Sequence, residues 1–189
     1  MRVVSGIAGG IPLIAPKTGL RPTMDRVKGA IFDSLGEAIV GSRVLDLFAG
    51  SGALGIEALS RGAALATLVE KDVRAVEAIR FNLAKTRLQG AAVEALDIFS
   101  FLHKRAVAGG YDFILADPPY AKQKGDRDFG VELLSDPALA RALAPEGLFI
   151  LEKLPGAPLP KKTGWELLRE RRYGATEVAY LRRVSPPEE

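Results

Sequence analysis

Four apolar residues, Phe113 to Ala116, run directly into Asp117, Pro118, Pro119 and Tyr120. The run reads as a buried strand, and the motif at its end as a stiff, extended turn. A residue that precedes proline is pushed out of the helical region, and both Asp117 and Pro118 precede one. The prolines have no N–H, so they start no helix and add no ladder bond. What the turn presents is a carboxylate, backbone carbonyls and an aromatic face. A planar group bearing an exocyclic amine suits that set. The Asp117 carboxylate and the Pro118 carbonyl accept its two hydrogens, and Tyr120 stacks on the ring, a contact worth about 1–3 kcal/mol. Both bonds aim the nitrogen lone pair at an electrophile, and transfer depends on holding the reacting atoms about 3–3.5 Å apart. Asp117 also offsets the positive charge that develops on nitrogen and can take up its proton.

A second constellation lies upstream. LDLFAGSGALGIEAL contains Gly50, Gly52 and Gly55 at the spacing of a nucleotide-binding turn, and Glu70 follows Gly50 by twenty residues. Glycines let the backbone turn tightly and let a ligand approach beside a helix N-terminus. A carboxylate at Glu70 suits ribose hydroxyls. By spacing alone this also describes an NAD-dependent dehydrogenase. Asp46, inside the strand four residues before the first glycine, would repel a pyrophosphate but could anchor an ammonium group or an ordered water. Asp97 ends a third strand and can accept from an adenine amine, with Ile98 packed on the ring. Three acids at successive strand ends suit a nucleoside that is cationic and carries no phosphate. S-adenosylmethionine is such a ligand, and its sulfonium methyl group is the electrophile.

The elements that must position these groups alternate. RVLDLFAG, LATLVEKD, AAVEALD, YDFILAD and GLFILEK read as strands. ALGIEALSRG, VRAVEAIRFNLAKTRL (capped by Asp72), IFSFLHKRA and FGVELLSDPALARAL read as the helices between them. GWELLRERRYG and TEVAYLRRV close as a hairpin. Such alternation predicts a parallel α/β sheet with its ligand crevice at the carboxyl ends of the strands. Before it, VVSGIAGGIPLIAP reads as short β pieces around a Gly-rich turn. A helix capped by Thr23 follows, with Met24, Val27, Ile31, Leu35 and Ala38 at helical spacing. Residues 1–20 are expected to form a small β extension, and 21–189 a single globular unit.

The chain has 189 residues with 48% hydrophobic and 26% charged content, enough for a real core. It holds no apolar run of about 18 residues and no secretion signal, which predicts a cytoplasmic protein with no membrane partner. A monomer is expected. There is no Cys, so disulfides and thiolate chemistry are excluded. His103 is the sole His and reads as a surface-helix residue; no metal is expected. Net charge is +3, with a pI of about 9.2. The excess sits at the ends: residues 1–43 carry six basic against three acidic side chains, and residues 161–183 seven against three.

LDLFAGSGALGIEALSRGA, Glu70 and DPPY together resemble the Rossmann-like, class I S-adenosylmethionine-dependent methyltransferases that act on exocyclic amines. TGLRPTMDRVKGAIFDSL, followed by that turn and ADPPY, looks like the RsmD family of bacterial 16S rRNA guanine-N2 methyltransferases. The likeness runs from about Gly6 to about Arg182. It implies a mostly parallel seven-stranded sheet with helices on both faces and a small N-terminal β extension. It implies methyl transfer from S-adenosylmethionine, leaving S-adenosylhomocysteine, to N2 of a guanine in 16S rRNA within the small ribosomal subunit, without a metal. Asp117, Pro118, Pro119 and Tyr120 would form the amine site. Asp46, Phe48, Gly50, Gly52, Glu70, Lys71, Asp97 and Ile98 would hold the cofactor. Arg21, Thr23 and Arg26 would sit at the cleft lip. The family's N-terminal hairpin carries an aromatic and a basic residue near its turn; GIAGGIPL has neither, which shifts expected RNA contact to Arg171, Arg172, Arg182 and Arg183. Lys28 and Gly29 stand where the family has Arg-Glu. An N6-adenine DNA methyltransferase, or a non-catalytic RNA-binding protein on the same fold, are the competing expectations.

Overall fold

The computed structural model describes residues 1–15, 24–121, 123, 125–160 and 164–184. After α1 (Met24–Leu35) and a 3-10 turn (Gly36–Ile39), strands and helices alternate: β1 (Arg43–Leu47), α2 (Ala53–Ser60), β2 (Leu65–Val69), α3 (Val73–Thr86), β3 (Ala91–Glu94), α4 (Ile98–Lys104) and β4 (Tyr111–Ala116). Then come α5 (Phe129–Ser135), α6 (Pro137–Ala142), β5 (Leu143–Lys153), β6 (Trp165–Tyr173) and β7 (Thr176–Arg183). The seven strands form one sheet in the order β3-β2-β1-β4-β5-β7-β6. The first five are parallel, and β7 runs antiparallel between β5 and β6.

The apolar faces explain the layering. β1 is buried on both sides, as a central parallel strand must be. Val27, Ile31, Ile56, Leu59, Leu68 and Ile79 close one face under α1, α2 and α3. Phe101, Leu102, Leu133, Leu139, Phe149 and Leu181 close the other under α4, α5 and α6. The expected doubly wound sheet is therefore present, with helices on both faces.

Three local expectations need correction. FGVELLSDPALARAL is two helices, because Pro137 has no N–H to continue the first and forces Asp136 into extended geometry. The Asp136 carboxylate accepts from Ala138 N at 2.8 Å and caps the second helix, while its other oxygen meets His103 Nε2 at 2.9 Å. His103 is an exposed helix residue, as expected. Ala38 does not continue the buried stripe of α1: Gly36 at φ 55° turns the chain into the 3-10 segment, leaving Ala38 exposed and Ile39 buried. Among the described residues the N-terminal β pieces reduce to one antiparallel bridge, Arg2 with Pro12. Thr23, proposed as a cap, lies outside the described residues.

Side chains of three helices, α1, α2 and α3, hold that N-terminal segment. The buried Glu57 carboxylate of α2 accepts from Val4 N at 2.7 Å and Ser5 N at 3.0 Å. Gly6, at φ 82°, passes so close to the Ser60 carbonyl that a Cβ would stand 1.9 Å from its oxygen. Lys28 Nζ, itself buried, donates to the Arg2 carbonyl at 2.5 Å and lies 3.4 Å from Glu57. Burial pushes the Lys28 ammonium down, opposed by the charges of Glu57 and Asp25. Asn82, fully buried on α3, accepts from Ile14 N and donates to the Ile14 and Ser51 carbonyls, each at 2.9 Å. It thereby ties the segment to the turn after β1. Asn82→Ala leaves these groups unpaired in the interior and is expected to cost about 2–3 kcal/mol of stability in urea unfolding; a loss under about 0.5 kcal/mol would contradict the account.

Candidate active site

Parallel pairing brings the carboxyl ends of β1, β2, β4 and β5 to one edge, and a cleft of about 400 Å³ opens there. Its floor begins at the turn after β1. Phe48 has φ 62°, a left-handed conformation that costs a bulky side chain about 1–3 kcal/mol. Such strain persists only where the surroundings fix it. Here Gly52 N donates to Ala49 O at 2.7 Å, and the Phe48 ring meets Phe129 edge-on at 5.0 Å. Gly52, at φ 79°, caps α2. Gly55 lets that helix approach the sheet: a Cβ there would stand 2.8 Å from Leu68 and 3.3 Å from the Asp46 carboxylate.

Four acids near this edge are tied to backbone. Asp46 Oδ2 accepts from Gly55 N at 2.8 Å. Glu70 accepts from Gly50 N at 2.9 Å and Asp72 N at 2.8 Å, joining the glycine turn to the start of α3. Asp97 caps α4, accepting from Phe99 N and Ser100 N. Asp72, the expected cap of α3, accepts from Arg74 N and Ala75 N.

Asp46 is distinct. It is fully buried, and its Oδ1 has no hydrogen-bond partner among the described residues. Burial pushes its carboxyl up to about 7, the Gly55 bond opposes this, and the charges of Asp117 and Glu70 add to it. An orphaned acceptor just behind a cleft lined by Glu70, Asp97 and Asp117 fits a cationic nucleoside such as S-adenosylmethionine.

Phe48, Gly50, Glu70, Lys71, Asp97 and Ile98 line the cleft as expected of a cofactor wall, and so do Asp117, Pro118 and Pro119. Asp46 and Gly52 lie behind that lining. Tyr120 is not part of it. Its hydroxyl bonds Thr176 Oγ1 at 2.8 Å, and it borders a smaller recess beside Phe129, Glu152 and Lys153. Arg26 is exposed on α1, and Arg171 and Arg172 are exposed on β6. Arg21 and Thr23 lie outside the described residues. Among the described residues no group of acids and His could hold a metal, and no helix is long and apolar enough to cross a membrane.

Asp25, Lys28, Phe129, Glu152 and Thr176 line the cleft without having been read from the sequence. For Glu152 a signal existed: GLFILE ends an apolar strand in a carboxylate, as FILAD does. Phe129 and Thr176 depend on how a loop and an antiparallel strand fold back, which no local pattern announces. Arg127 stands over Phe129 at 4.6 Å and Phe99 at 5.0 Å, and Glu132 holds it through both carboxylate oxygens.

The Asp46 environment gives a pH signature. The folded carboxyl keeps its proton to about pH 7, whereas an unfolded one loses it near pH 4. The folded state therefore binds more protons across that window, and this contribution to stability falls as pH rises, by about 1.4 kcal/mol per unit at most. Asp46→Asn removes the dependence. Urea unfolding from pH 5 to 8 should show the variant gaining on the parent protein as pH rises. A constant difference would contradict the assignment, since Asp112 and Glu177, held low by partners common to both proteins, cancel in the comparison.

Comparison with known proteins fits this geometry. The family described as conserved hypothetical protein 95 matches residues 1–182. Ribosomal RNA small subunit methyltransferase D of Escherichia coli K12 is 38% identical over 182 residues, 95% of this chain and 87% of that one. The solved structure of YhhF from Escherichia coli superposes with a TM-score of 0.80 at 35% identity, covering 98% of this chain and 99% of the other. A more distant structure, complexed with S-adenosylhomocysteine (SAH), has a TM-score of 0.66 at 16% identity, over 86% of this chain and 50% of that one, and speaks for the fold alone. A glycine turn, strand-end acids and an Asp-Pro-Pro turn around one cleft, on a chain matched almost throughout, place this protein in the RsmD family, with the Rossmann-like fold of class I methyltransferases.

Proposed function

We propose that this protein is a cytoplasmic enzyme that methylates the exocyclic N2 of a guanine in the 16S rRNA of the small ribosomal subunit, with S-adenosylmethionine as donor. The observation that carries the reading is that the Asp117-Pro118-Pro119 turn and the acid-anchored glycine turn line one cleft. The printed name of the Escherichia coli relative supports the rRNA substrate. The donor, when bound, supplies an electrophilic methyl group on sulfonium.

The chain's own residues do the rest. Glu70 suits ribose hydroxyls through the lone pairs that Gly50 N and Asp72 N leave. Asp97 and Ile98 suit the adenine, and the orphaned Asp46 oxygen suits an ammonium group or the water that solvates it. Asp117 and the Pro118 carbonyl accept from the target amine, and the amine's lone pair then faces the donor side of the cleft. Asp117 offsets the developing charge and takes the proton. With its hydroxyl held by Thr176, Tyr120 buttresses the turn from behind rather than forming its floor. Arg171 and Arg172 sit beside the residue that pairs with Thr176, at the cleft end of β6, where rRNA phosphates would pass.

Asp117→Ala should lower kcat by about a thousandfold and leave donor affinity within about twofold by calorimetry. Glu70→Ala should instead weaken donor binding about tenfold or more, since it also releases Gly50 N. The deciding experiment methylates small subunits from a strain lacking the activity and maps the product by mass. N2-methylguanine in 16S rRNA is expected. Methyladenine in DNA, or RNA binding with no affinity for the donor, would falsify the proposal.

A further inference from the structure

Strands β4 and β5 pair in parallel with Ala116 beside Leu151, so the next residues, Asp117 and Glu152, stand side by side at the carboxyl end of the pair. Both line the cleft. On the far side of β5 lies β7, whose first residue, Thr176, lines the cleft as well. Across this edge the order is therefore Asp117, Glu152, Thr176. The mechanism uses the first and gives the second no part in the transfer itself.

Resting on the guanine-N2 reading above, we propose that Glu152 selects guanine by accepting its N1–H while Asp117 holds the adjacent N2 amine. Guanine presents along one edge two neighbouring donors, the N2 amine and N1–H, followed by the O6 acceptor. The cleft presents two carboxylates followed by a hydroxyl, in the same order. When Tyr120 donates to Thr176 Oγ1 across their 2.8 Å contact, the threonine proton is left to point at O6. Adenine offers an amine too, but its N1 is a lone pair. Against Glu152 that lone pair meets a negative oxygen, and neither group finds a partner. Sites that hydrogen-bond a specific group reject analogues lacking it far better than apolar pockets reject a change of size. The turn at Asp117 thus recognises an amine, and the neighbouring strand determines which base carries it.

The test uses the full-length protein on small subunits from a strain lacking the activity, with either guanine or adenine at the mapped nucleotide. Each variant's donor affinity is measured by calorimetry. Parent activity on guanine is established first, and its absence would defeat the function proposed above independently of Glu152. Given that activity, Glu152→Leu should lower kcat/KM on guanine by about fiftyfold while donor affinity stays within about twofold. Glu152→Gln retains an acceptor and gains a donor, so it should keep more activity and shrink the guanine-over-adenine preference about tenfold. If Glu152→Leu fails to fold, Glu152→Gln decides. A preference within about threefold of the parent's in Glu152→Gln, or equal losses of donor affinity and turnover in both variants, overturns the inference and leaves Glu152 a structural residue.

Discussion

Carboxylates gathered at one edge of a sheet repel one another, and at three of them backbone N–H groups offset the repulsion. Gly55 holds Asp46, Gly50 and Asp72 hold Glu70, and Phe99 and Ser100 hold Asp97. These donors belong to the turns after β1, β2 and β3 or to the helices that follow, where unpaired N–H groups and the helix dipole favour negative charge. The bonds that close each β–α turn are therefore the bonds that orient the site. Where such compensation is incomplete, at Asp46, the group keeps its proton. A cationic ligand is favoured because it supplies the charge that the backbone cannot.

The wall facing this edge depends on a separate network. Glu57 sits inside α2 with no exposed surface, and Lys28, Arg61 and two N-terminal amides converge on it. A buried carboxylate left alone would be costly; one with this many donors is a rivet. It pins the N-terminal segment, α1 and α2 together, and Asp25, Val27 and Lys28 of α1 then stand as the opposite side of the cleft. The lysine found where the family's arginine stands is thus committed to packing as well as to the cleft.

Much of this was legible in the sequence because a parallel sheet is written locally. Each strand is a short apolar run, and each site group at its end follows within a few residues, as Asp46, Glu70, Asp97 and Asp117 do. The break at Asp136-Pro137 was missed although its signal is local: a pre-proline Asp in a long helical pattern ends one helix and caps the next. Other features depended on register between strands distant in the chain. Tyr120 was placed on the base by its neighbours in sequence, but Thr176, fifty-six residues away, draws its hydroxyl toward the adjoining recess. Glu152 gains meaning only once β5 lies against β4, and Thr176 only once β7 inserts between β5 and β6.

That insertion leaves β6 at the margin of the sheet, with one row of its backbone groups facing no strand among the described residues. Open margins recruit further strands from neighbouring molecules, and proteins guard them with charge or brevity. Both devices are present. The opposite margin, β3, is only four residues long. β6 carries Arg169, Glu170, Arg171 and Arg172 in succession, so a strand laid against it would have to accommodate charge on both of its faces. The arginines proposed to meet rRNA therefore have an effect that needs no ligand: they oppose aggregation through the sheet's longer open edge.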